Sequence, residues 1–183
     1  MNHLGTKKIE TERLILRPFV VEDAQAMYEN WASDDEVTRF LTWPTHGSQE
    51  ISKMVLEDWI SHYGEATFYQ WAIVVKGEKD DPIGSISVVE MDDMVGKVQI
   101  GYCIGKNWWR QGITSEALKG VMDFLFDQVG AQRVEAKHDA NNPNSGRVMK
   151  KCGMKYEGTI RRSERNNQGI CDSCWYGILV EER

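Results

Sequence analysis

GYCIGKNWWRQGITSEA, residues Gly101 to Ala117, starts with one periodicity and ends with another. Around its first half, Val98, Ile100, Tyr102 and Ile104 recur at every second position, which is the spacing of a strand. From Thr114 onward Leu118, Val121, Met122, Leu125 and Val129 recur at three and four, the stripe of a helix. Gly112 stands at the junction. A strand that turns through glycine into a helix presents backbone N–H groups with no internal partner, at the positive end of the helix dipole. Such a turn suits a phosphate. Without a Cβ at Gly112 a diphosphate can lie against the backbone, and Arg110 sets a fixed cation beside it.

Two common phosphate loops do not fit. No Gly-Lys-Ser/Thr follows, as a nucleotide-hydrolase loop requires, and the turn lacks the three spaced glycines of a dinucleotide fingerprint. The stretch instead resembles the acyl-CoA loop of the GCN5-related N-acetyltransferase (GNAT) superfamily, in particular its ribosomal-protein N-terminal (RimJ/RimL-like) branch. That loop reads Gln/Arg-x-x-Gly-x-Gly/Ala. Gly112 fits its central glycine, while Trp109 and Thr114 replace the flanking residues. Thr11-Glu12-Arg13-Leu14, Leu16-Arg17-Pro18 and Asp23-Ala24 resemble the opening of the branch. Asn142-Pro143-Asn144-Ser145, Lys151, Gly153 and Glu157-Gly158 resemble its closing motif. The three matches follow the family's order and span most of the chain.

The resemblance implies a mixed α+β fold and an acetyl-CoA-dependent N-acetyltransferase, with acetyl-CoA as co-substrate and no metal. It implies cofactor contacts from Arg110, Gln111, Gly112, Ile113, Thr114 and Ser115 at the loop. Backbone contacts are implied from Cys103 and Ile104, contact with the pantetheine amides from Asn142, and contact with a CoA phosphate from Lys151. The loop between the first helices walls the acceptor cleft in this fold, which makes Phe40 and Trp43 the expected acceptor contacts.

Composition sets outer bounds. The 183 residues are 41% hydrophobic and 27% charged, a globular balance in a length that suits one domain spanning 1–183. No run of apolar residues is long enough for a membrane span, and Met1 to Lys8 lacks the apolar segment of a secretory signal. The expectation is a cytoplasmic protein with no membrane partner; a homodimer is left open. A net charge of −6 lacks the basic excess that nonspecific nucleic-acid binding needs, so no nucleic-acid partner is expected. Cys171-x-x-Cys174 is a single pair without further ligands and reads as strand cysteines rather than a zinc site. His46 and His138 are isolated.

In chain order the pattern predicts a first strand over 13–19 and a helix over 22–33. A helix capped by Ser48 and carrying Ile51, Val55 and Trp59 on its inner stripe follows. Strands are expected over 68–75, 83–89 and 133–138, then a short helix capped by Ser145 and ended by Gly153. A closing hairpin, 154–163 and 170–180, turns at Asn166-Asn167-Gln168-Gly169. The total is about seven strands and about four helices in a mixed, mostly antiparallel sheet.

Acyl transfer to a primary amine needs a base, an oxyanion donor and stabilisation of the leaving thiolate. Gly101 and Gly105 flank Tyr102-Cys103-Ile104 and would let that strand part from its neighbour and expose N–H groups; the alternative is that they only relieve packing. Many relatives carry a glutamate base two residues before Gly101, but this chain has Gln99, whose amide takes no proton at neutral pH. The branch implies two other catalytic residues: Glu164, positioning a water, and Ser145, donating to the sulfur. Bland readings stand beside them, a helix cap for Ser145 and a solvated charge for Glu164. Cys103 could carry the acyl group covalently, whereas the family transfers it directly through a tetrahedral intermediate. The acceptor would be a protein N-terminal α-amino group, such as that of a ribosomal protein, or a small amine. The rival reading is a catalytically degenerate acyl-CoA-binding sensor or interaction module of the same fold.

Overall fold

A computed structural model describes residues 1–183. Eight strands form one sheet: β1 (Ile9–Glu10), β2 (Leu14–Arg17), β3 (Gln70–Val75), β4 (Gly84–Asp92), β5 (Lys97–Ile104), β6 (Arg133–Asp139), β7 (Lys155–Asn166) and β8 (Gly169–Leu179), in the spatial order β1-β2-β3-β4-β5-β6-β8-β7. Every pairing is antiparallel except β5 with β6. The helices are α1 (Ala24–Met27), α2 (Asp35–Thr38), α3 (Gln49–His62), α4 (Ile113–Phe124) and α5 (Pro143–Lys151). A 3-10 turn precedes α1, and π-helical turns extend α1 to Ala32 and α4 to Val129. No helix is long and apolar enough to cross a membrane.

The alternation in β5 sets the two layers. Val98, Ile100 and Ile104 lie in a core of 26 buried residues that includes the inner face of α4. Leu118, Val121 and Leu125 are fully buried there, each contributing about 1.5–3 kcal/mol relative to exposure. Cys103, on the opposite face, packs against a smaller core of eight buried residues from α1, α3 and their flanks. The β5–α4–β6 crossover makes the one parallel pair, since parallel neighbours need such a connection.

The count exceeds the expected seven strands and four helices because β1 has two residues and α2 one turn, both too short to show a period. Ser48 occupies the N-cap of α3, but its hydroxyl makes no bond to the helix N–H groups. That helix buries Ser52 and Leu56, while Ile51, expected inside, is exposed. Ser145 does not cap α5: Asn142 is the N-cap, Pro143 opens the helix and Ser145 is its third residue. The closing hairpin runs to Asn166 and turns on Asn167 and Gln168 alone.

Candidate active site

β5 and β6 pair only from Lys97 to Gln99 against Arg133 to Glu135; beyond that they part. On the other edge of β5, Gly105 donates its N–H to Ile83 O at 2.8 Å. By antiparallel alternation Cys103 and Gly101 then use their backbone groups on Ser85 and Ser87 opposite. The backbone groups of Tyr102 and Ile104 point to the open side. Trp109 Nε1 donates to Ile104 O at 2.9 Å, which leaves the N–H groups available. Of the two backbones expected to face a ligand, that of Ile104 points to the open side and that of Cys103 to β4, with Tyr102 beside Ile104 on the open side. For Gly101 the structure supports the alternative of packing relief. A Cβ there would stand 2.9 Å from Val89 Cγ1, and Val89 is the extra residue where the β4 ladder slips between Val88 and Glu90. The glycine makes room for the bulge.

At the end of this opening lies the turn into α4. Gly112 is its N-cap with φ 77°, a left-handed conformation that favours glycine. Arg110 shares that region at φ 62°, which is uncommon for a residue that carries a Cβ. A Cβ on Gly112 would meet Lys151 Nζ at 3.2 Å and an Arg13 Nη at 3.6 Å. Arg13 is held by Glu116, donating from its backbone N and its Nε at 2.7 Å each, and it reaches Gln111 O at 3.1 Å. Burial pushes the Glu116 carboxyl up, but bonds from Thr11 and Arg13 outweigh it and hold the group below its ordinary value. Arg13 therefore brings its own counter-ion. Lys151 has no carboxylate partner, which leaves a cation beside the free N–H groups of the first turn. These groups form a cradle that fits the diphosphate of CoA. Ile113 turns its side chain into the core, so only its backbone faces the cradle, and Ser115 is buried in the adjoining groove.

A cleft of about 680 Å³ opens along β5 from Gln99 to Ile104. Cys103, Ile104, Thr114, Asn142, Ser145 and Glu164 all line it, as do the expected acceptor contacts Phe40 and Trp43. Ser145 Oγ lies 3.0 Å from Tyr102 Oη, which also donates to Ser145 O at 3.1 Å. Burial pushes the Tyr102 phenol up, so the ring stays neutral and acts by hydrogen bonding. Glu164 accepts from Lys137 Nζ at 2.5 Å, and Lys137 sits 4.9 Å over the ring of Trp175. Glu164 is thus half-buried and paired, not a solvated charge. Burial also pushes the Cys103 thiol up, and the thiol makes a hydrogen bond with the neutral hydroxyl of Ser85 at 3.4 Å. Cys171 and Cys174 stand three residues apart on β8 and so face opposite sides of the sheet, where no joint site can form.

Sequence reasoning missed Tyr102, Lys137 and Arg13 as members of this site. Arg13 belonged to a quoted motif, and Tyr102 sat inside the organising stretch, but nothing in spacing announces a bond made across 43 residues.

A sheet that parts at its centre, with a cationic cradle at one end and a nucleophile cleft on its face, defines an acyl-CoA-dependent transferase. Residues 13–155 match the acetyltransferase (GNAT) domain, and the chain belongs to that family as an acetyl-CoA-dependent N-acetyltransferase. It is 32% identical over 174 residues to the uncharacterized N-acetyltransferase p20 of Bacillus licheniformis, covering 94% of this chain and 96% of that one. It is 26% identical over 106 residues to the ribosomal-protein-serine acetyltransferase of Escherichia coli, covering 58% of this chain and 59% of that one. The crystal structure of a GNAT-family acetyltransferase from Bacillus anthracis superposes with a TM-score of 0.84 at 23% identity, covering 96% and 100% of the two chains.

Proposed function

We propose that this N-acetyltransferase acts on a primary amine carried by a slender acceptor, a protein N-terminal α-amino group or a small-molecule amine, by direct transfer. One observation carries the reading: a single cleft is lined by the open edge of β5, by Ser145 and by Glu164. The Tyr102 and Ile104 N–H groups receive the carbonyl oxygen as charge develops on it. Ser145 Oγ, steadied by Tyr102, donates to the departing sulfur. Its place in the first turn of α5 adds the positive end of a helix dipole. Glu164, held by Lys137, takes the amine proton through a water. A free α-amino group has a pKa near 7.7–8.0 and needs little help to lose that proton, unlike a lysine near 10.4. The partial likeness to a ribosomal-protein-serine acetyltransferase supports a protein acceptor. The high-lying thiol of Cys103 argues against a covalent acyl-enzyme.

Thiol release from acetyl-CoA over a panel of α-amines and alkylamines tests the acceptor class. Glu164→Gln keeps the shape and removes the proton affinity, so kcat should fall by about 10²–10⁴-fold while acetyl-CoA binding is unchanged. Superimposable pH–rate profiles for parent and variant would remove Glu164 from the mechanism. Selective CoA binding with no thiol release for any amine would favour the sensor reading.

A further inference from the structure

The cleft has two walls from distant parts of the chain. One is the strap that follows α2, from which Phe40, Leu41 and Trp43 face inward; the other is the β7–β8 hairpin, which carries Glu164. A single residue hydrogen-bonds across them. Asn167, at the hairpin turn, donates its backbone N–H to Leu41 O at 3.1 Å. Its Nδ2 donates to Thr38 O and to Trp43 O, at 2.8 Å each. Both amide hydrogens are used, and both strap carbonyls at Leu41 and Trp43 find their donor in this residue. The turn is itself held in place. Asn166 Nδ2 donates to Asp139 Oδ2 at 2.7 Å, and Gln168 N donates to Asn166 Oδ1 at 2.8 Å. The connection therefore runs from the end of β6, through Asn166 and Asn167, into the strap. It is built on a two-residue turn with little freedom of its own.

We infer that Asn167 is a specificity-determining residue: by tying the strap to the hairpin it fixes the width of the acceptor cleft and selects amines by their breadth next to the reacting nitrogen. The inference rests on the proposed acceptor reading and deepens it. Asn167 touches neither the reacting atoms nor the cofactor cradle, so its effect falls on the choice of acceptor and not on acetyl-CoA.

The test uses Asn167→Asp and Asn167→Ala. The aspartate keeps the shape but sets an acceptor against two carbonyl oxygens, so it repels the strap where the asparagine held it. Two readouts are taken on the full chain. The first is tryptic cleavage after Arg39, an exposed residue at the start of the strap; it should quicken at least tenfold in the aspartate variant. The second is kcat/KM for alaninamide and tryptophanamide, whose α-amino groups are alike and whose side chains are not. The tryptophanamide-to-alaninamide ratio should rise at least tenfold in both variants, with KM for acetyl-CoA unmoved. Unchanged cleavage, or a loosened strap with an unchanged ratio, overturns the inference. A parent that acetylates neither amide refutes the α-amine acceptor, and the inference with it, whereas cleavage still reports whether Asn167 holds the strap.

Discussion

At the scale of single residues, Gly112 and the Tyr102–Ser145 pair make the sharpest predictions. Gly112→Val adds a branched side chain in a left-handed conformation, 3.2 Å from Lys151 Nζ. CoA binding measured by calorimetry should weaken tenfold or more, about 1.4 kcal/mol per decade, and a variant that binds like the parent would refute the cradle. Ser145→Ala should lower kcat by about 10²-fold or more. Because Asn142 and not Ser145 caps α5, its melting temperature should stay close to that of the parent. Tyr102→Phe removes the bond that orients Ser145 and should lower kcat by about tenfold. In the double variant the losses should not add, since the two act through one donor. Additive losses would mean that Tyr102 works apart from Ser145. Places in the site were legible where a motif names the residue, as at Gly112 and Lys151, which stand together, and at Asn142, which lines the cleft. They were not legible where a partner lies far along the chain, as for Lys137 with Glu164 or Asn167 with the strap.

Among the elements, α4 carries most of the argument. Its N-terminus is locked to the β1–β2 turn through Glu116, which takes bonds from Thr11 Oγ1 at 2.6 Å and from Arg13. Glu116→Gln should destabilise the fold by about 1–3 kcal/mol and weaken CoA binding, because Arg13 is released. The folded carboxyl lies below its ordinary value, so its contribution is present above about pH 4.3 and is lost as the pH falls through the lowered value. Melting curves for parent and variant should therefore differ at neutral pH and converge in acid; a gap that persists there would assign the effect to packing. The stripes of β5 and α4 were readable because each repeats over many residues with one buried face. The α3 stripe was readable in part: Val55 and Trp59 pack half-buried against the smaller core, whereas Ile51 faces out and the fully buried positions are Ser52 and Leu56. The parting of β5 from β6 had no sequence period at all: it follows from where two strands stop pairing.

For the whole molecule, the cradle at Gly112 and the cleft adjoin through Thr114, which follows the glycine in the first turn of α4 and is part of the cleft lining. The proposed direct transfer needs both substrates on the protein at once, so initial-rate plots should intersect, and Cys103→Ala should keep most of the parent's activity. Parallel plots with an isolable acyl-enzyme would instead indicate a covalent relay at Cys103. The mixed α+β architecture was legible from the order of the patterns, and the family from three motifs spread along the chain. The two-walled cleft was not, because its walls come from the segment after α2 and from the last hairpin.

The bulge at Val89 leaves a mark on how this chain can change. A methyl group at 101 would stand 2.9 Å from Val89 Cγ1, so the valine must turn or lose its branch to admit it. Val89 is exposed, which gives it solvent to turn into. Positions 89 and 101 are thus coupled, and a residue that lacks the branch at 89 makes a side chain at 101 easier to take.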